Sequence, residues 1–242
     1  MFRHQGKTRT LKHNLKIASL LSFIAGIVNV AGFLAVQRLT TNVTGHFAFF
    51  VDEVFKLKFL QAFIYFLYIF FFFAGSFISG FLTEFMLRKN ERFIYTVPIC
   101  IEIIILFVIG FFGQTLIKNA SDVVAFSLLF AMGLQNSLVT IISNASVRTT
   151  HLTGLFTDLG IELSQLFFYD IKTERKKLFS SIKLRATIIC FFFFGGIAGG
   201  VFYTKIGLKI LIFAALALII GLIYDYVKFK LILLQRRLRN TS

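Results

Sequence analysis

Charge is scarce in this chain, and what there is leans one way. Asp, Glu, Lys and Arg make up 15% of the 242 residues, against about 25% in an ordinary soluble domain. Only 11 are acidic and 26 are basic, a formal net charge of +15. Cysteine is almost missing: Cys100 and Cys190 are the two present, and both fall inside apolar runs. They read as packing residues, not as a disulfide or a metal pair. No HExxH, GxSxG, P-loop or CxxC pattern occurs anywhere, so the common hydrolase, nucleotide and zinc signatures are excluded. His4 and His13 lie in a basic stretch, and His46 and His151 stand alone, which makes a poor ligand set. No metal, cofactor or enzymatic activity is expected. An intramembrane enzyme would need a nucleophile or metal set that these residues do not supply.

What the chain has in abundance is apolar surface. Hydrophobic residues are 57% of the total, with 34 Phe. Several uninterrupted runs approach about 20 residues, the length that carries an α-helix across a hydrocarbon core. The Lys and Arg lie in the segments between those runs, where the positive-inside rule expects them. That placement argues against a nucleic-acid partner and for membrane lipid as the surrounding partner. The first run has a counterpart later in the chain, so it reads as a retained span, not a cleaved leader.

The runs fall into two series of four. The first series is 15–37, 44–56, 59–87 and 93–113, and the second is 121–143, 153–169, 182–204 and 207–227. They match in order at three places. "GIVN" at 26–29 answers "GLQN" at 133–136, "TTNVTGHF" at 40–47 answers "TTHLTGLF" at 149–156, and "FFFFAGSFISGF" at 70–81 answers "FFFFGGIAGGVF" at 191–202. Ordered matches of this kind indicate an internal duplication. The stretches 44–56 and 153–169 carry Asp52 and Glu53, and Asp158 and Glu162. The first of them is too short to span and fits a re-entrant or interfacial helix. Three spans per half is an odd number, so the second half must enter the membrane upside down. The short basic "RKNER" loop favours this plan over eight spans.

The predicted fold is therefore an all-α polytopic membrane protein. It has six transmembrane helices as two inverted three-helix repeats, each with a short re-entrant or interfacial helix after its first span. A basic tail (1–14) precedes the first repeat (15–114), and a second basic tail (229–242) follows the second repeat (121–228). The charge distribution puts both termini in the cytoplasm.

Polar residues inside the apolar runs are the candidate site. Asn29, Gln135 and Asn136 are amides that need partners, because lipid offers none. They either hold helices together or line a site between the repeats. The octets supply Thr40, Thr41, Asn42, Thr44 and Gly45, then Thr150, His151, Thr153 and Gly154, with Asp158 a turn further on. Thr or Asn ahead of an apolar run is a helix-start pattern, and a helix starting at membrane depth can offer free N–H groups to an anion. Glu102 lies near the middle of a span, where an ionisable group is costly and points to function. With Glu53 and Glu162 it forms the candidate set for ion or proton coupling. The latter two could also pair with Arg38 or Arg148. Small residues at Gly75, Ser79, Gly195 and Gly199 have the spacing that lets helices approach closely, inside one chain or in a homodimer.

These residues resemble the YoaK family of bacterial membrane proteins. "FIAGIVNVAGF", "TTNVTGHF", "GLQNSL" and "THLTGLFTDLGIEL" carry the resemblance, which runs from about residue 15 to 228. The chain departs from the family pattern at His46, where "TGN" is expected. The resemblance implies a six-span protein of the bacterial inner membrane with no agreed activity. Taken together, the sequence leads to a transporter-like protein that moves or binds a small polar or anionic solute where its repeats meet. The alternative is a non-transporting scaffold or sensor.

Overall fold

The structure is a computed structural model, and it describes residues 10–89, 94–143, 145–169 and 171–240, with the side chains of 229 and 232–240 left aside. Much of the basic N-terminal tail and most of the "RKNER" loop lie outside what is described, as do the side chains of most of the C-terminal tail. Among the described residues seven α-helices follow one another: α1 (Leu11–Val36), α2 (Val43–Phe55), α3 (Phe59–Lys89), α4 (Thr96–Ser143), α5 (Leu152–Gln165), α6 (Lys172–Ile206) and α7 (Ile210–Asn240). A single 3₁₀ turn, Gly207–Lys209, joins the last two. Among the described residues, four helical stretches are long and apolar enough to cross a membrane: α1, α3, α4 and the run Lys172–Lys228. The chain is thus an all-helical protein compatible with several passes through a bilayer.

The ends of the helices follow from local chemistry. Gln37 closes α1 in the left-handed conformation (φ 52°), its N–H bonded to the Phe33 carbonyl, a common way to end a helix. Gly207 ends α6 with φ 61°, which a glycine adopts without strain. At 13 and 14 residues, α2 and α5 are each about 20 Å long. They fall short of a hydrocarbon core of about 30 Å, as their length in the sequence suggests.

Several boundaries differ from expectation: α6 begins at Lys172, ahead of the expected 182, and α7 runs into the basic tail as far as Asn240. Residues 114–120 are expected to connect two separate spans; helix continues through 114–119, and the second span starts at 121 as expected. Residues 114–119, QTLIKN, contain neither Gly nor Pro, so the helix continues through them. Only Ala120 leaves the helical region (φ −156°, ψ 65°). That kink divides α4 into halves of about 35 Å, 96–119 and 121–143.

The helices pair in a reciprocal way. A Cβ added at Gly26 of α1 would lie 2.1 Å from the Phe192 carbonyl oxygen of α6, and one at Gly195 of α6 would lie 2.0 Å from that of Phe23 in α1. The same exchange joins α3 to the second half of α4. A Cβ at Gly75 would lie 2.1 Å from the Phe130 oxygen, and one at Gly133 would lie 2.1 Å from the Phe72 oxygen. Gly26 and Gly133 occupy matching places in the two halves of the sequence, and Gly75 and Gly195 lie one position apart within the matched stretches 70–81 and 191–202. Over a longer stretch the residue numbers rise together, from Phe23 at Gly195 to Val30 at Gly200 and from Tyr68 at Asp122 to Gly80 at Ser137, so the partners run parallel. By contrast, α1 and the second half of α4 run antiparallel: Gly32 meets Leu128, and Leu21 meets Gln135. The core lies between these helices and is built from Leu21, Ile24, Val28, Leu128, Met132 and Leu138, all fully buried. Phe73, Phe77, Phe81 and Phe85 face outward along α3, each ring stacked on the next.

Candidate functional site

Each octet folds back onto the amide of its own first helix. In the first, Thr40 Oγ1 donates to the Val28 carbonyl (3.1 Å) and Thr41 Oγ1 donates to Asn29 Oδ1 (2.7 Å). Asn42 then caps α2, its side-chain oxygen accepting from the Gly45 N–H at 2.9 Å. Thr44 is exposed at the helix start. His46 is fully buried, with Nε2 2.6 Å from the Leu39 carbonyl and its ring 4.6 Å from that of Tyr68. Burial, and then the neighbouring Arg38 charge, hold the His46 imidazole below the usual histidine range, against the pull of the Leu39 carbonyl. Tyr68, itself fully buried, donates to Asp122 at the start of the second half of α4. The Arg38 guanidinium lies 5.8 Å from the Tyr65 ring centroid and interacts with Tyr68 and Asp122. Arg38, Tyr68 and Asp122 thus tie the loop after α1 to α3 and α4.

The second octet repeats the motif with more bonds. Gln135 Nε2 donates to the Leu21 carbonyl (3.0 Å) and to Thr149 Oγ1 (3.1 Å). Thr149 donates to Asn136 Oδ1 (3.0 Å), and Asn136 Nδ2 donates to Thr150 Oγ1 (2.6 Å). No side chain caps α5: His151 stands at the cap position without such a bond. Thr153 and Gly154 are exposed in its first turn.

The two octets do not meet. Since α1 and the second half of α4 are antiparallel, the loops that lead into α2 and α5 reach the middle of α1 from opposite directions. Measured along α1, the second junction touches Leu21 and the first touches Val28, a separation of about 10 Å along the axis. Asn29, Thr40, Thr41, Asn42, Thr44 and Gly45 therefore form one junction, and Gln135, Asn136 and Thr150 another. His151, Gly154 and Asp158 belong to a cavity beside the second junction, which no residue of the first octet lines.

That cavity has a volume of about 460 Å³ and lies between the loop after α4, the start of α5, α6 and the start of α1. Its polar lining comprises Asn14, Arg148, His151, Asp158, Ser181 and Arg185, among others. Asp158 and Glu162, one helical turn apart on α5, share one arginine. Arg185 Nη1 is 2.8 Å from Asp158 Oδ2, and Arg185 Nε is 2.9 Å from Glu162 Oε2. Ser181 donates to the other Glu162 oxygen at 2.5 Å. Burial, and then the Arg148 charge, hold the His151 imidazole below the usual histidine range. The remaining carboxylates stand elsewhere. Glu53 Oε2 is buried with no hydrogen-bond partner among the described residues, and neighbouring Asp52 pairs with Lys56. Glu102, 1% exposed, sits among apolar side chains of α4, with Oε1 unpartnered among the described residues. Ion coupling through Glu53, Glu102 and Glu162 would thus involve three separate places. No group of three His, Cys, Asp or Glu that could hold a metal occurs among the described residues.

Sequence reasoning offered Arg38 and Arg148 as partners for the acidic residues, whereas the partner of Asp158 and Glu162 is Arg185. A signal existed: Arg185 lies inside the apolar run that leads to "FFFF", two residues beyond Lys183, and a cation within such a run needs a counter-ion. Tyr68 and Asp122 carried no such signal, because a Tyr in an aromatic run looks like its neighbours.

No curated protein and no solved structure matches the chain. A family model described as "Protein of unknown function (DUF1275)" matches residues 17–224, which include both octets, the helix contacts and all of the cavity lining except Leu11 and Asn14. That match agrees with a family lacking an agreed activity, though it does not carry the YoaK name. The chain belongs to the DUF1275 family.

Proposed function

We propose that the protein is a transporter-like protein of the bacterial cytoplasmic membrane. In this reading six spans form two inverted repeats, 15–114 and 121–228, with both termini in the cytoplasm. It moves a small polar or anionic solute between them. The observation that carries the reading is the reciprocal packing. Gly26 lies on Phe192 as Gly133 lies on Phe72, and Gly195 lies on Phe23 as Gly75 lies on Phe130. Exchange of this kind between sequence-matched helices, with α1 antiparallel to its counterpart, is what two inverted repeats require.

Two further features support it. The polar groups do not simply glue helices, since an ion network with an adjacent cavity stands at the α5 end. At the α2 end, Arg38, Tyr68 and Asp122 close the bundle without needing a solute. One end closed and the other hollow fits one state of an alternating-access cycle.

Proteoliposomes test the reading. Reconstituted wild type should move at least one small polar or anionic solute faster than protein-free vesicles. Arg185→Gln, which breaks the network beside the cavity, should slow that flux at least about tenfold. Failure of wild type to move any solute of a broad panel, under imposed proton and sodium gradients alike, would sink it.

A further inference from the structure

The cavity at the α5 end is electrically two-sided. On one side stands Arg148, exposed in the loop before α5 and engaged in no ion pair among the described residues. Beside it is the first turn of the 14-residue helix α5, which His151 leaves without a side-chain cap. The N–H groups of a first turn have no partner within their own helix. Gly154 in that turn has nothing within 4 Å of where a Cβ would stand, so a ligand atom can approach the backbone. This side offers hydrogen-bond donors and one positive charge.

The opposite side offers acceptors. Asp158 and Glu162 share Arg185, which leaves one net negative charge there. Asp158 is half exposed and binds Arg185 through Oδ2, so Oδ1 remains available. The Ser180 hydroxyl donates to the Lys176 carbonyl and the Ser181 hydroxyl to Glu162, so both present lone pairs to the cavity instead of hydrogens.

A simple anion would satisfy only the first side and be repelled by the second. A ligand that fits must carry an anionic head and, a few bonds away, a donor such as an amine or hydroxyl. Arginine N–H groups and helix N–H groups approaching from different directions suit a tetrahedral oxyanion better than a planar carboxylate. The volume of about 460 Å³ lies in the range of small-molecule sites, about 300–1,000 Å³, and exceeds the needs of phosphate alone.

We propose that this cavity binds a small phosphate ester bearing an amino or hydroxyl group. The phosphate lies at Arg148 and the start of α5, and the amino or hydroxyl donor lies at Asp158. This assignment rests on the solute-binding reading above and names the class of solute. The same chemistry occurs in a free amino-alcohol phosphate and in the head group of phosphatidylethanolamine.

The test is equilibrium binding by the full-length protein. In detergent micelles, O-phosphoethanolamine should raise the unfolding midpoint saturably, with at least about tenfold higher affinity than inorganic phosphate. Arg148→Gln should weaken that binding at least about tenfold without changing the ligand-free midpoint, since Arg148 is exposed. Arg148→Lys should restore part of it. Asp158→Asn should erase the preference for the ester while leaving phosphate binding in place. Nanodiscs of phosphatidylcholine with and without phosphatidylethanolamine separate the two sources. Protection that depends on phosphatidylethanolamine and on Arg148, with no effect of the soluble ester, assigns the site to a lipid head group. No saturable effect of either source, or Arg148→Gln binding as tightly as wild type, overturns the proposal. The two readings fail separately: ester bound but never moved removes transport alone, and flux of another solute without ester binding removes this site alone.

Discussion

His46 occupies a position where asparagine is expected from the resemblance, and its surroundings make the difference measurable. The ring is fully buried against Tyr68, Nε2 lies 2.6 Å from the Leu39 carbonyl, and Nδ1 has no partner among the described residues. An imidazole held this way is neutral at pH 7, because burial first and the Arg38 charge second lower its proton affinity. In the unfolded chain it titrates near pH 6.5, roughly the ordinary histidine value. As the pH falls through that value, the unfolded chain takes up a proton that the folded chain refuses. Stability present at neutral pH is therefore lost on acidification. The unfolding midpoint in detergent should fall between pH 7 and pH 5, and His46→Asn should flatten that slope. An equally steep slope in the variant would show that other groups set it. His151 has the same sign, but it is exposed at the mouth of the cavity and contributes less.

Between helices, the strongest constraints are contacts of glycine with backbone. At Gly26 an added Cβ would meet the Phe192 oxygen at 2.1 Å and the Gly196 nitrogen at 2.7 Å. Backbone atoms cannot rotate away, so α1 and α6 would have to separate. Gly26→Ala should destabilise the protein by about 1–3 kcal/mol, the usual cost of overpacking. Gly133→Ala, at the matching place against Phe72, should cost a similar amount. Gly160→Ala in α5, with nothing within 4 Å, should be neutral or gain up to about 1 kcal/mol from helix propensity. Chemical denaturation of the three variants checks the ranking, and a Gly26→Ala protein as stable as Gly160→Ala contradicts the close approach. These glycines show how far sequence can be read. The small-xxx-small spacing of Gly75 with Ser79 and of Gly195 with Gly199 was legible, and so were the short helices α2 and α5 and the apolar runs, because length and periodicity are local properties. The identity of each partner helix was not, since packing in lipid depends on shape complementarity across distant parts of the chain. The same limit hid Arg185 as the partner of Asp158 and Glu162, and Tyr68 as the partner of Asp122. The helical continuity of α4 through 114–119 escaped for another reason: polar residues alone do not end a helix without a Gly or Pro to break it.

Across the whole molecule, one geometric relation separates the inverted plan from its rival. If α2 and α5 crossed the membrane, each half would contain four crossings. Matching helices such as α1 and the second half of α4 would then point the same way. They point oppositely, because Gly32 meets Leu128 while Leu21 meets Gln135. With three crossings per half, the start of α2 and the start of α5 must emerge on opposite faces, and Thr44 and Thr153 are exposed at those two starts. Single cysteines at these positions, in a background with Cys100 and Cys190 replaced by serine, read the arrangement directly. In sealed vesicles of known orientation, a membrane-impermeant maleimide should label Thr44→Cys from the periplasmic face and Thr153→Cys from the cytoplasmic face. Labelling of both from one face would remove the inverted repeat. The exchange symmetry of the glycine contacts would then describe packing alone, and alternating access would lose its structural basis. Labelling from opposite faces would place the cavity beside Arg148 and Asp158 on the cytoplasmic side, and the Arg38–Tyr68–Asp122 closure on the other. A solute bound at that cavity would then be open to the cytoplasm, with its outward path blocked at Tyr68. Release to the outside would require the Tyr68–Asp122 bond to break as the helix pairs rock against each other.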